Sequence, residues 1–235
     1  MINWKMPVVI LVEGLISAGK STLISKCLVP QLEAKGLRVR IIKEPVDKWV
    51  DTGILQKFYA DPTRWGYSFQ TKAFHDRIVE AINVYTKERA DVYLMERSPY
   101  SDHIFMTTLH ENKNVSDMEY DMHKEWWNLW HKLLPFTPDM ILYLKTTVEN
   151  CMERLKIRNR DGESGVSKEY QQQLLSHHDR LFDHDKVTIG PYQVECRPID
   201  GNQNFIENPG LVDSIVQAVL LKTMPTRECF SDVYC

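Results

Sequence analysis

The stretch Val8–Thr22, VVILVEGLISAGKST, constrains this chain more than any other. Val8 to Val12 form an apolar run that reads as a buried strand. Gly14 to Ser21 then complete the spacing G-x-x-x-x-G-K-[ST], and a helical pattern follows. The physical logic is direct. Gly14 and Gly19 let the backbone adopt turns that a Cβ would forbid, so successive N–H groups can face a polyphosphate. A helix opening near Lys20 adds its N-terminal dipole and free N–H groups. Lys20 supplies positive charge to the β- and γ-phosphates, and the Ser21 hydroxyl is placed to ligate Mg²⁺. The bland alternative is a glycine-rich turn that binds nothing. The agreement of motif, preceding strand and following helix argues against it. The loop says nucleotide, and alone it does not say which reaction.

Length and composition narrow the setting. The chain has 235 residues, enough for one α/β domain, expected over residues 1–222, with 223–235 as a loose tail. It is 43% hydrophobic and 26% charged, with a net charge of −3. Without a long basic run, bulk electrostatics gives no reason to expect a nucleic-acid polymer or a membrane as partner. The five cysteines (Cys27, Cys151, Cys196, Cys229, Cys235) are scattered and lack a C-x-x-C pair, which suits a reducing compartment. No apolar run approaches the ~18 residues needed to cross a bilayer. No signal-peptide pattern precedes the first strand and Cys235 lies outside a prenylation box, so a cytoplasmic protein is expected.

Strands and helices alternate along the chain. Helices are expected over 20–35, 64–88, 100–109, 118–134, 148–158, 167–182 and 211–222. Strands are expected over 8–12, 38–42, 92–95, 140–144 and 192–199. Residues 46–61 read as a short helical or irregular insert, and 159–165 as a charged loop. The pattern predicts an α/β fold, a five-stranded parallel sheet with helices on both faces. Ligands in such folds sit beyond the carboxyl ends of the strands. Glu13-Gly14, Glu44 and Glu96-Arg97 fall at three such ends and are grouped as one site.

The chain resembles the deoxyribonucleoside kinases, the family of deoxycytidine, deoxyguanosine and mitochondrial thymidine kinases. The resemblance runs from about Val8 to Phe182. It rests on the phosphate loop, Glu44-Pro45-Val46 with Trp49, Phe69-Gln70-Thr71, Glu96-Arg97-Ser98, and Arg154-x-x-x-Arg158-x-Arg160-x-x-Glu163. One departure is Leu15, where the family usually carries asparagine. The resemblance implies a P-loop kinase fold with an arginine-rich lid, and Mg·ATP-dependent phosphorylation of a deoxynucleoside 5′-hydroxyl. It places Gly14, Ser17, Ala18, Gly19, Lys20, Ser21 and Thr22 around the donor phosphates. Glu44 becomes the general base, Glu96 a holder of Mg²⁺ with Ser21, and Arg97 the group orienting the hydroxyl. Read from spacing alone, Glu44 could equally be a solvent-exposed charge, and Glu96-Arg97 a surface ion pair of little energetic consequence.

Gln70, Ala73, Phe74 and Arg77 share one helix face. A core-facing stripe is the plain reading, but Gln70 and Arg77 fit a core poorly without polar partners. The resemblance implies that Gln70 reads a base edge and that Arg77 pairs with Asp102, favouring cytosine or purine over thymine. Phe69 is the expected stacking wall, with Phe105 or Met106 opposite. Trp49 belongs to the substrate end, and Tyr59 with Glu163 matches the pair that binds the sugar 3′-hydroxyl. Arg154, Arg158 and Arg160 would close over the polyphosphate, or form a solvated basic helix end. His177 and His178 read as surface residues. Trp126, Trp127 and Trp130 read as helix packing or a dimer face, and homodimerisation through the two helices after Glu96 is what the family implies. The alternatives are a thymidylate-type nucleoside monophosphate kinase and a non-catalytic assembly subunit. The first needs a cationic pocket for an acceptor phosphate, and the second predicts damage at Lys20, Glu44 or Glu96, which are intact. No N-K-x-D motif supports a GTPase.

Overall fold

The computed structural model describes residues 6–189 and 192–224. A six-stranded sheet runs in the order β2-β3-β1-β4-β6-β5, with β1 Val8–Gly14, β2 Val39–Ile42, β3 Val92–Glu96, β4 Met140–Lys145, β5 Lys186–Ile189 and β6 Tyr192–Asp200. Every pairing is parallel except β5 with β6. The three central strands β3, β1 and β4 are buried along nearly their whole length, as parallel strands covered by helices must be. The sequence pattern predicts five strands, and β5 is the addition. Its alternating exposed and buried residues, Lys-Val-Thr-Ile, belong to an antiparallel edge strand, and four such residues are too short to stand out from a loop.

Because five strands point the same way, their carboxyl ends meet at one rim. β1 delivers the phosphate loop, β2 delivers Glu44, β3 delivers Glu96 and Arg97, and β6 delivers residues 201–205. The helix after the phosphate loop opens at Lys20–Thr22, passes through a π-helical segment Leu23–Leu28, and continues as Val29–Ala34. The expected insert is two short helices, Val46–Asp51 and Ile54–Ala60, leading into the long helix Pro62–Lys87. That long helix starts where Asp61 accepts a bond from the Arg64 N–H, with Pro62 at a position whose N–H has no partner to lose.

Two apolar clusters fill the molecule. The larger surrounds the sheet and includes Leu15, wholly buried, so the departure at this position lies in the core. The smaller lies under the insert and contains Trp49, Leu55, Phe58, Phe69, Met106 and Leu109 among its members. Phe69 stacks on Phe58 at 4.7 Å and meets Trp49 edge-on at 5.5 Å. This second cluster fixes the insert as one wall of the rim. The last helix, Pro209–Thr223, reaches one residue past the expected domain end, and the remaining tail lies outside the described residues from 225 on. The same holds for Cys229 and Cys235, while Cys27, Cys151 and Cys196 are free and buried. Among the described residues no helix is long and apolar enough to cross a membrane.

Gly14 is where the sheet and the phosphate loop join. It pairs with Leu144 of β4 and adopts φ 142°, and a Cβ there would sit 2.9 Å from the Leu144 carbonyl oxygen. Gly14→Ala therefore pushes β1 away from β4. The expected cost is ~1–3 kcal/mol in urea denaturation, with nucleotide affinity falling as the loop is displaced.

Candidate active site

One cavity of about 680 Å³ occupies the rim, and most of the sequence-predicted site residues line it. At its phosphate end, Ser17 and Gly19 both take positive φ, 65° and 102°, which curls the loop. The buried Lys20 ammonium donates to the carbonyl oxygens of Leu15 at 2.7 Å and Gly14 at 3.2 Å. Burial, reinforced by the nearby Arg97, lowers its pKa to about 8. The Ser21 hydroxyl donates to Glu96, so the hydroxyl and carboxylate expected to share a cation already converge. Arg154 donates to the carbonyl oxygens of Ala18 at 3.0 Å and Gly201 at 2.7 Å, tying the lid helix Val148–Arg158 to the loop. Arg158 and Arg160 both line the cavity, and both are held by Glu163, at 2.7 and 3.5 Å.

Charged groups dominate the other end. Arg97 follows β3 with φ 62°, and its backbone N–H is bonded to the Val12 carbonyl at 3.0 Å. It is 2% exposed, its Nε faces Glu44 Oε1 at 3.2 Å, and its guanidinium lies over the Phe105 ring at 4.8 Å. Beneath it, the fully buried Glu13 accepts bonds from the Ser98 and Ser101 hydroxyls. Ser98 also caps the helix Pro99–Glu111. Burial raises the Glu13 pKa, against the pull of Arg97 and the two serines. Glu13 thus joins β1 to the turn that carries Arg97 and to the helix that carries Asp102.

The long helix contributes Gln70 and Arg77. Arg77 bonds Glu44 at 2.7 Å and also Asp102, and Gln70 donates to the same Asp102 oxygen at 3.0 Å. Asp102 itself does not line the cavity. It lies fully buried behind Arg77 and Gln70. Burial pushes its pKa up to about 6, against Arg77. Burial opposes the charge on Glu44 too, but Arg97, Arg77 and Lys20 outweigh it and bring its pKa down to about 2. Trp49, Tyr59 and Phe69 complete this end, and the indole N–H of Trp49 donates to Asp76 at 2.9 Å. Phe105 reaches the cavity and Met106 does not, while Phe74 packs into the interior against His123.

Two expectations change. His177 and His178 are buried, not on the surface: His178 bonds the Leu174 carbonyl at 2.7 Å and His177 meets Glu111 at 2.9 Å. Leu174, His178 and Phe182 share one helix face, a signal present in the spacing. The segment Asn202-Gln203-Asn204-Phe205 lines the cavity beyond the phosphate loop and was not anticipated. Its position just past a strand's carboxyl end was the available clue.

A sequence profile of the deoxynucleoside kinase family matches residues 10–224. The chain belongs to that family. It is 32% identical to a probable deoxycytidine kinase of fowlpox virus, over 88% of this chain and 85% of the viral one. Deoxycytidine kinase 2 of Gallus gallus is 32% identical over 87% of each chain. A deoxyadenosine kinase of Dictyostelium discoideum is 33% identical over 74% of this chain and 66% of its own. The deoxynucleoside kinase phosphorylates the 5′-hydroxyl of a deoxynucleoside, using a nucleotide as phosphate donor.

The depressed Glu44 pKa has a thermodynamic consequence for the kinase. A folded-state value of about 2 against an ordinary 4.5 gives stabilisation that is present above pH 4.5 and lost as pH falls towards 2. Between pH 5 and 3, the wild type should lose about 2 kcal/mol more stability than Glu44→Gln in urea denaturation. Parallel pH profiles for the two proteins would mean that the ion pairs at Glu44 do not bind it more tightly when folded.

Proposed function

We propose that the kinase acts on deoxycytidine or a purine deoxynucleoside in preference to thymidine, with Glu44 taking the 5′-hydroxyl proton. The observation that carries this reading is a single cavity holding Lys20, Ser21 and Glu96 at one end and Gln70 and Arg77 at the other, with Glu44 and Arg97 between. In the step, the 5′-hydroxyl proton passes to Glu44 and the oxygen forms a bond to the γ-phosphorus. The bond from phosphorus to the β–γ bridging oxygen breaks, its electron pair leaving on the nucleoside diphosphate. Arg97 orients the hydroxyl. Arg154, Arg158 and Arg160 gather the polyphosphate and spread its charge. Tyr59 and Glu163 hold the sugar 3′-hydroxyl, Trp49 and Phe69 flank the nucleoside, and Asp102 fixes the two base-reading side chains. The amides and ring of 202–205 receive the donor's base, for which ATP is the expected source.

The converged Ser21 hydroxyl and Glu96 carboxylate are hard oxygen donors, the type that suits Mg²⁺. Held there by Ser21 and Glu96, the ion would neutralise negative charge on the transferring phosphoryl group. A monophosphate acceptor is the weaker reading, because Arg77 and Arg97 at the acceptor end are already paired with carboxylates.

Homodimerisation has physical support in the amphipathic helix Asp117–Leu133. Met118, Met122, Trp126, Leu129 and Leu133 are each more than two-fifths exposed and fall on one side of it. A seam of five large apolar side chains along one helix suits a second copy of this chain. Trp127, by contrast, donates to the Pro99 carbonyl at 2.8 Å and packs inward.

The decisive assay offers all four natural deoxynucleosides, and dTMP, to purified protein with Mg·ATP. Deoxycytidine or a purine deoxynucleoside should be converted fastest, and dTMP should be a poor acceptor. Glu44→Gln should bind nucleoside almost normally while turning over ~10²–10⁴-fold more slowly. Unchanged turnover would remove Glu44 from the mechanism. Met122→Asp with Trp126→Asp should shift the protein from dimer to monomer in sedimentation velocity, and a wild type that sediments as a monomer would refute the dimer.

A further inference from the structure

Three helical or strand-end elements converge on one guanidinium. Arg77, on the long helix, bonds Glu44 from the end of β2 through Nη2 and Asp102 from the helix Pro99–Glu111 through Nη1. It is 2% exposed, so few geometries are open to it. Two atoms of this network are buried without a hydrogen-bond partner, Arg77 Nε and Asp102 Oδ2. Arg77 lines the cavity and Asp102 lies behind it, so a ligand reaches the Arg77 donor while Asp102 holds the guanidinium from the far side. A ligand that accepts from an unmet buried donor is favoured. An N–H donor of Arg77 at the cavity wall matches a base edge that presents a ring acceptor, as in cytosine or adenine. Thymine presents an N–H where cytosine presents the ring acceptor, and that N–H meets a cation.

The other arm of Arg77 has a separate consequence. Glu44 Oε1 faces two guanidiniums, Arg77 at 2.7 Å and Arg97 at 3.2 Å. A carboxylate clamped in this way is a weak proton acceptor. We propose that Arg77 gates Glu44: a base that takes over the donors of Arg77 draws the guanidinium off Glu44 and frees it to accept the 5′-hydroxyl proton, whereas a base that does not leaves Glu44 clamped. This deepens the proposed function and rests on its reading of Glu44 and Arg77. Base identity is then read in the rate of phosphoryl transfer and not only in affinity. Arg77 acts on the reacting oxygen through Glu44, as a positioning residue for the chemistry as well as a contact for the base.

The test separates binding from chemistry. Rapid-quench single turnovers at saturating Mg·ATP and saturating deoxycytidine or thymidine give the transfer rates, and nucleoside titrations of tryptophan fluorescence give the dissociation constants. In the wild type, transfer to deoxycytidine should exceed transfer to thymidine by roughly tenfold or more at saturation. In Arg77→Met with Asp102→Ala, which removes both buried charges together, the two rates should come within about threefold, chiefly because thymidine's rate rises. Asp102→Asn keeps Arg77 and strips its other carboxylate, so the clamp on Glu44 persists. Transfer to deoxycytidine should then slow by about tenfold. A purely structural role would slow both substrates alike in both variants. Wild-type discrimination confined to the dissociation constants would overturn the proposal, as would an unchanged rate ratio in the double variant. If the double variant does not fold, undiminished transfer in Asp102→Asn still refutes it. Glu44→Gln in the same assay distinguishes the two levels: full-rate transfer there sinks the proposed function itself, while slow transfer with a failed coupling test sinks only the gate.

Discussion

The rim of the sheet is held together by charges that have left water. Glu13, Glu44 and Asp102 face Lys20, Arg77 and Arg97, and each is buried or nearly so. Each of these carboxylates has a cation close by, and Lys20 has Glu96 near it as well, so opposite charges are set against each other across the cluster. That pairing is what makes its burial tolerable, since an unpaired ion there would cost several kcal/mol. Each partner comes from a different element, so the cluster also fixes how those elements meet. Glu13 binds β1 to the turn after β3. Glu44 binds the end of β2 to that turn and to the long helix. Asp102 binds the long helix to the helix that follows β3. The sheet brings the backbone ends together, and the ion pairs set the angles at which side chains enter the cavity.

The same cluster explains why hydrophobic packing is divided in two. The main core surrounds the sheet and would be similar in many α/β proteins. The second core, under the insert, is aromatic: Trp49, Phe58 and Phe69 pack edge-on or stacked at 4.7–5.5 Å. Stiff rings with few rotamers make a flat wall beside a polar floor. Arg77 passes between the two regions, its guanidinium 5.5 Å from the Trp49 ring while its nitrogens reach the carboxylates. A cation over an aromatic face is stabilised without giving up its hydrogen bonds.

How much of this could be read from the residues follows the range of the interactions. The phosphate loop was legible because its glycines, lysine and serine are contiguous, and its physics is local. Glu44, Glu96 and Arg97 were legible because strand ends in a parallel sheet point to one rim. The lid arginines and the Arg77–Asp102 pair needed the family resemblance: Arg158 and Arg160 meet Glu163 nearby, but Arg154 meets Ala18 and Arg77 meets Asp102, both far along the chain. The segment 202–205 was missed for the same reason, because only the pairing of β6 with β4 carries it to the cavity. β5 was missed because four residues of an edge strand leave too faint a period. The buried histidines were misjudged by residue type, although the spacing of Leu174, His178 and Phe182 marked an inward face.

Asp102 anchors the acceptor end of the cavity from within the core. The resemblance pairs it with Arg77 and associates that pair with the choice of base. The structure sets it behind Arg77 and Gln70, away from the cavity wall, with one oxygen bonded to both and the other unpartnered. A fixed carboxylate at that depth orients two side chains at once, and neither can turn without losing a bond to it. On the proposed reading, selectivity is a property of this network more than of one contact. Since Arg77 is also bonded to Glu44, the network does not end at Asp102: on the proposed reading its far side is the carboxylate that takes the hydroxyl proton, and a base that rearranges the near side changes the charge around the far one.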